Sequence, residues 1–261
     1  MYELVIRGGE VVDGSGLPSY RADIGIRGGR ISRIGRIKER GREELDARGL
    51  VVAPGFIDGH THMDAQVAWD PLGTCSCWHG VTTAIMGNCG FTLAPCRPDE
   101  KHLVLRNLER AEDIPAEAMA AGIDWTWETY AQYLDALEGW RKGINYAGYV
   151  GHSALRTYAM GERAFSEPAT ADDLVTMKRE LSNALHAGAI GFATSRTRNH
   201  ATPDGSPVAS RVAAWSEVRE LVGVMSELGA GVFESRVRTQ AAILSGSATT
   251  STVSAISLWR R

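Results

Sequence analysis

No apolar run in this chain approaches the roughly 20 residues that a membrane-spanning helix takes. No basic cluster of the kind that follows a phosphate backbone is present either, and the formal net charge is only -3. The N-terminus, Met1-Tyr2-Glu3-Leu4-Val5-Ile6-Arg7, lacks a basic segment followed by an apolar one, so it does not read as a secretory signal. Cysteine is scarce. Cys75, Cys77, Cys89 and Cys96 fall within 22 residues, with one, eleven and six residues between them. Disulfide frameworks spread their cysteines along the chain, and structural zinc modules use other spacings, so neither class fits. These lacks lead to the expectation of a cytoplasmic protein with reduced thiols and with neither a nucleic-acid nor a membrane partner.

The last 27 residues, 235–261, lack Asp, Glu and Lys altogether, and ten of them are Ser or Thr. Neither a helical period nor strand alternation persists there. The expectation is an irregular tail, of the kind a frameshift would produce.

What is present is an ordered change of pattern. Residues 1–52 are Gly-rich and β-like, and Ile6-Arg7-Gly8-Gly9-Glu10-Val11 is echoed by Ile26-Arg27-Gly28-Gly29-Arg30-Ile31. Gly-Gly between short alternating runs favours tight hairpins. From Val51 onward, apolar runs alternate with helical periods, the order of a parallel α/β sheet. The expected strands are Val51–Asp58, Val81–Asn88, Ile144–Gly151, Ala189–Thr194 and Gly231–Glu234, about five βα units. Helices are expected after Thr126, after Thr170 with Asp173 as a capping box and Gly188 as its stop, and after Ser216 with Gly229 as its stop. The long connection between Gly90 and Gly143 is a candidate cover for a site at the carboxyl ends of the strands.

The chemistry gathers at Pro54-Gly55-Phe56-Ile57-Asp58-Gly59-His60-Thr61-His62. On an extended chain, side chains at i and i+2 share a face, about 6–7 Å apart. His60 and His62 thus make half of a metal site at the end of a strand expected to be buried. Cys89 follows the second strand in Gly87-Asn88-Cys89-Gly90. Neighbouring strands lie about 4.8 Å apart, which brings a thiol there within reach of the histidines. Asp64 and Gln66 continue the same alternation and are candidates to hydrogen-bond a ligand histidine or contact a substrate. His152, at the end of the third strand, is a third such candidate. His79, His102, His186 and His200 fall in helices or loops and are given no role.

The first of these stretches resembles the first barrel strand of the amidohydrolase superfamily. Gly80-Val81-Thr82-Thr83-Ala84-Ile85-Met86-Gly87-Asn88-Cys89-Gly90 is similar to its D-aminoacylase branch, the N-acyl-D-amino-acid deacylases. The resemblance covers roughly residues 1–234. It implies an incomplete (β/α)8 barrel over residues 53–234 and a small β-sandwich segment over residues 1–52. It also implies Zn2+ as cofactor, held by His60, His62 and Cys89, and a small-molecule N-acyl amino acid as substrate. A closed barrel has eight strands. The resemblance places further histidine ligands on the fifth and sixth strands and the catalytic aspartate after the eighth. Phe233-Glu234-Ser235-Arg236 offers no histidine, so the catalytic base is unnamed and this chain is expected to be inactive alone. A hydantoinase- or dihydroorotase-like cyclic amidase shares the first-strand histidines and is the alternative enzyme. A non-catalytic fragment is the alternative outside enzymes.

Overall fold

A computed structural model describes residues 1–236 together with Ser257–Leu258. The chain divides into two compact units, one spanning Met1–Phe56 and the other starting at Ile57.

The first unit is a five-stranded sheet. Its strands are β1 (Tyr2–Val11), β2 (Tyr20–Arg27), β3 (Arg30–Gly35), β4 (Gly41–Asp46) and β5 (Val51–Val52), in the order β3-β2-β1-β4, with β5 also pairing with β1. β1–β2 and β2–β3 are antiparallel, while β4 and β5 run parallel to β1. The two Gly-Gly echoes have different jobs. Gly28-Gly29 is the β2–β3 hairpin turn, with φ of 59° and 67°, the doubly left-handed geometry that a two-residue hairpin favours. Gly8-Gly9 lies inside β1, where the register with β2 slips.

The second unit is a curled half-barrel of five parallel strands. β6 (Phe56–Asp58), β7 (Val81–Met86), β8 (Asn145–Gly151), β9 (Gly191–Ser195) and β10 (Val232–Arg236) are neighbours in chain order. β11 (Ser257–Leu258) pairs antiparallel with β10. The helices are α1 (Thr74–Cys77), α2 (Lys101–Glu112), α3 (Ala116–Gly122), α4 (Tyr130–Gly139), α5 (His152–Met160), α6 (Ala171–Ala187), α7 (Ala209–Val212) and α8 (Trp215–Leu228). Val150 and Phe192 on the strands, with Met177 and Leu181 of α6 and Leu221 and Met225 of α8, belong to one apolar core. All of β9 is buried, as a strand inside a covered parallel sheet must be.

Several expectations hold and several need correction. Thr170 caps α6 in a reciprocal box with Asp173, and Gly188 stops the helix. Gly229 stops α8 in the left-handed conformation at φ 63°. The single strand expected over Val51–Asp58 is instead two. Pro54 has no N–H to donate and interrupts it, so Val51–Val52 joins the first sheet while Phe56–Asp58 begins the second. Nor is it buried: Phe56 and Ile57 are both 68% exposed, because β6 is an edge strand of its sheet. The cap of α4 is Thr129, not Thr126. The Gln132 carboxamide oxygen accepts the Glu128 and Thr129 N–H groups at 2.8 and 3.0 Å, completing a capping box three residues later than expected. Ala214, not Ser216, precedes the first turn of α8.

The Gly90–Gly143 connection holds α2, α3 and α4, and many of its side chains are core. Leu93, Leu105, Leu108, Trp127, Tyr130 and Tyr133 share the apolar cluster of the sheet, and Trp127 donates to the Leu93 carbonyl at 3.1 Å. For residues 235–261, Ser235 and Arg236 are the end of β10 and Ser257–Leu258 is β11. The rest of the expected tail lies outside the described residues. Among the described residues, no helix is long and apolar enough to cross a membrane.

Candidate metal centre

His60 and His62 lie just past β6, in a segment sewn to β7. Thr61 between them gives both its N–H and its hydroxyl to the Ile85 carbonyl, at 3.1 and 2.8 Å. Thr61 is thereby buried against β7, and the two flanking rings fall together with centroids 5.4 Å apart. The shared face was expected from alternation. The histidines themselves stand beyond the strand rather than on it.

Cys89 sits in a 3-10 turn, Asn88–Gly90, three residues past β7. Gly87, Cys89 and Gly90 are all left-handed, with φ of 76°, 59° and 82°. For Cys89 this conformation costs about 1–2 kcal/mol, since its Cβ crowds the following carbonyl. The flanking glycines are required by space as well. A Cβ on Gly87 would collide with the Tyr149 carbonyl oxygen, and one on Gly90 would stand 3.1 Å from Thr194 Cα. Asn88 ties the turn to the histidine segment, its side-chain N–H groups reaching the Thr61 and Ile85 carbonyls at 3.2 and 2.8 Å. Two carboxylates hold the turn's backbone. Asp64 accepts the Gly87 N–H at 3.1 Å, and Glu234 of β10 accepts the Cys89 N–H at 2.9 Å.

The result is a compact donor set. One ligand atom from each of His60, His62 and Cys89 lies within 4.8 Å of the others, and His60 Nε2 is 3.4 Å from Cys89 Sγ. Two imidazoles and a thiol are donors that zinc prefers. With bonds of roughly 2.0–2.3 Å in a tetrahedron, a nitrogen and a sulfur ligand stand about 3.5 Å apart, so the residues fit a zinc ion. Burial keeps the imidazoles neutral, as ligation requires. His62 is pushed down to about 4, by burial first and then by His60 and Arg236, and His60 is lowered by burial and Arg236. Burial, followed by the Glu234 carboxylate, pushes the Cys89 thiol up to about 12. Burial raises Asp64 to about 7 and also raises Glu234, against the backbone N–H groups each one accepts.

The other candidates from the sequence are placed differently. Asp64 holds the cysteine turn through Gly87. Gln66 donates to Asp70 at 3.3 Å. His152 does not face an open pocket: it is the first residue of α5, fully buried, with Nδ1 2.8 Å from Thr194 Oγ1 and Nε2 2.8 Å from Glu217 Oε1. Both ring nitrogens are engaged inside the protein, which leaves none for a substrate. Arg156, also fully buried, completes this group, with Nη1 at 2.8 and 2.6 Å from the two Glu217 oxygens.

Three residues passed over in the sequence belong near the donors. Glu234 and Arg236 are i, i+2 at the end of β10, the same alternation that exposed the histidine pair. Arg236 acts electrostatically on His60, His62, Cys89 and His200. His200, on the loop after β9, lies against Phe91 at 5.0 Å, and Phe91 lies 6.0 Å from His62. Burial, then Arg236 and His62, lowers His200 to about 4. His79, His102 and His186 are exposed.

Residues 43–233 match the amidohydrolase family. A D-aminoacylase of Alcaligenes xylosoxydans xylosoxydans is 37% identical over 195 residues, which cover 74% of this chain and 37% of that protein. An N-acyl-D-glutamate deacylase of the same organism is 40% identical over 197 residues, again 74% of this chain and 37% of the relative. Among solved structures, the N-acyl-D-glutamate deacylase of Bordetella bronchiseptica, complexed with zinc and a phosphonate inhibitor, superposes with a TM-score of 0.72. It is 32% identical, and the match covers 92% of this chain and 46% of that one. The chain spans less than half the length of the relatives it matches. With a family match over most of its length and a half-barrel that superposes on a deacylase, the chain belongs to the amidohydrolase family.

Proposed function

We propose that the protein is a zinc-dependent amidohydrolase that removes the acyl group from N-acyl-D-amino acids, with His60, His62 and Cys89 as metal ligands. In this reading residues 53–234 are the hydrolase barrel segment and residues 1–52 the accompanying β segment. The observation that carries it is the convergence of two neutral imidazoles and one thiol at the carboxyl ends of β6 and β7. The likeness to deacylases, one of them complexed with zinc, supports zinc as the metal and an N-acyl amino acid as the substrate.

Bound zinc would supply Lewis acidity, acidifying a water molecule and polarising the acyl carbonyl. Thr61 and Asn88 fix the spacing of the histidine segment and the cysteine turn, and Phe91 and His200 form a wall beside His62. Arg236 brings a positive charge next to the donors, suited to the carboxylate of an N-acyl amino acid. The two carboxylates nearest the donors, Asp64 and Glu234, each hold a backbone N–H. Among the described residues no further carboxylate joins the donor cluster. We therefore expect residues 1–261 alone to bind zinc while amide hydrolysis stays at background, since a missing general acid–base costs about 10²–10⁴ in rate.

The test combines metal analysis with an assay. Zinc should co-purify or titrate at about one equivalent, and be lost in His60→Ala and Cys89→Ala. Amino acid release should be sought from N-acetyl-D- and N-acetyl-L-amino acids and from a hydantoin, alone and in a full-length relative carrying the same substitutions. Zinc binding unchanged by both substitutions would overturn the ligand assignment. Hydantoin opening by the relative in place of deacylation would transfer the reading to the cyclic amidases.

A further inference from the structure

We propose that Glu234 is a positioning residue for the metal-ligating thiol. Its carboxylate, delivered by β10, holds the left-handed turn that turns Cys89 Sγ towards His60. The inference rests on the reading of His60, His62 and Cys89 as ligands and adds a residue from the far side of the half-barrel.

The Cys89 backbone is in a conformation that residues other than glycine avoid, so something must hold it there. Its N–H is buried and donates to Glu234 Oε2 at 2.9 Å across 145 residues of sequence. Consecutive N–H groups in a left-handed turn form a concave donor surface suited to an anion. In this turn the anions are internal: Asp64 takes the Gly87 N–H and Glu234 takes the Cys89 N–H. Asp64 lies two residues past His62, so its hold links the turn to the histidine segment. Glu234 links the turn to the other end of the sheet. Register explains how it reaches. Glu234 pairs with Ala193 of β9, and Gly90 of the turn rests on the Ala193 carbonyl and Thr194. Without the carboxylate, a buried N–H loses its acceptor and the strained φ loses its restraint. The turn then relaxes, and Sγ leaves its position 3.4 Å from His60 Nε2.

The test uses the 261-residue chain and Co2+ as a spectroscopic probe. Thiolate bound to cobalt gives a near-ultraviolet charge-transfer band, which imidazole ligation does not. Glu234→Gln keeps an oxygen that accepts the Cys89 N–H, so the band and the affinity should be retained. Glu234→Leu removes the acceptor and should strip the band, giving the spectrum of Cys89→Ser, with Co2+ binding weakened about 10–100-fold. Glu234→Asp keeps the charge but falls short by a methylene and should lose most of the band, so the test survives if the leucine variant does not fold. A wild-type band in Glu234→Leu or Glu234→Asp overturns the inference alone. Equal loss of affinity in Glu234→Gln and Glu234→Leu with the band intact also overturns it, since the carboxylate would then be a ligand. Absence of any thiolate band in the wild-type chain sinks the ligand reading and this inference together.

Discussion

Removing the Glu217 carboxylate while leaving Arg156 in place should be among the most damaging single changes in the second unit. Arg156 is completely buried, and its charge is met at 2.6 and 2.8 Å by the two Glu217 oxygens. Its Nη2 is occupied by the Ala164 and Glu167 carbonyls at 3.2 and 2.6 Å. His152 adds a neutral imidazole at 2.8 Å, since burial outweighs the Glu217 carboxylate and lowers its basicity. Glu217→Leu therefore strands a guanidinium in the core. Breaking a buried pair in this way costs about 3–5 kcal/mol. At about 2–4 °C per kcal/mol for a unit of this size, the thermal midpoint should fall by roughly 6–20 °C. Arg156→Met together with Glu217→Leu removes both charges. It leaves the His152 ring nitrogen short of a partner, as Glu217→Leu also does, and beyond that frees the buried Ala164 carbonyl, at about 1–3 kcal/mol, and the part-buried Glu167 carbonyl. The double variant should thus be more stable than Glu217→Leu alone. Urea unfolding of the wild type, both single variants and the double variant measures the coupling. A Glu217→Leu loss below about 1 kcal/mol, or a double variant whose loss equals the sum of the singles, would refute the reasoning.

Three further outcomes follow from the same geometry. Stability should decline as pH falls below about 6.5: the buried His152, together with His60, His62 and His200, refuses the proton that an unfolded histidine takes near 6.5, and these four outweigh Asp64 and Glu234, whose raised carboxyls oppose the trend. Glu217 adds to this at lower pH, because burial raises it but the contacts from His152 and Arg156 outweigh that and leave it lowered from 4.5; a stability profile rising towards acid would contradict both. Gly87→Ala should place a Cβ against the Tyr149 carbonyl oxygen in a left-handed residue, shifting the cysteine turn, so zinc binding and stability should fall together, measured by metal titration and thermal unfolding. Thr170→Ala removes one half of the α6 capping box and should cost about 0.5–2 kcal/mol in urea unfolding with no change in metal affinity.

The local rules were legible along the chain. Alternating apolar runs and helical periods marked the five parallel strands, and Gly188 and Gly229 marked helix ends, because these depend on neighbours a few residues apart. The i, i+2 spacing of His60 and His62 already placed both rings on one side. The expected strand Val81–Asn88 runs two residues too far, since Gly87 and Asn88 belong to the cysteine turn. Tertiary contact decided the rest. Pro54 alone does not say which sheet each half of the Val51–Asp58 run will join; the pairing partners β1 and β7 do. His152 reads as a pocket residue until Glu217, 65 residues later, and Thr194 are found at its two nitrogens. Glu234 reads as an ordinary strand-end acid, and only the β9–β10 register carries it to the Cys89 N–H, 145 residues away in sequence. Periodicity specifies which face a residue takes on its own element. Which partner waits on that face depends on the order and register of strands, and that order is set by burial summed over the whole sheet rather than by any local stretch.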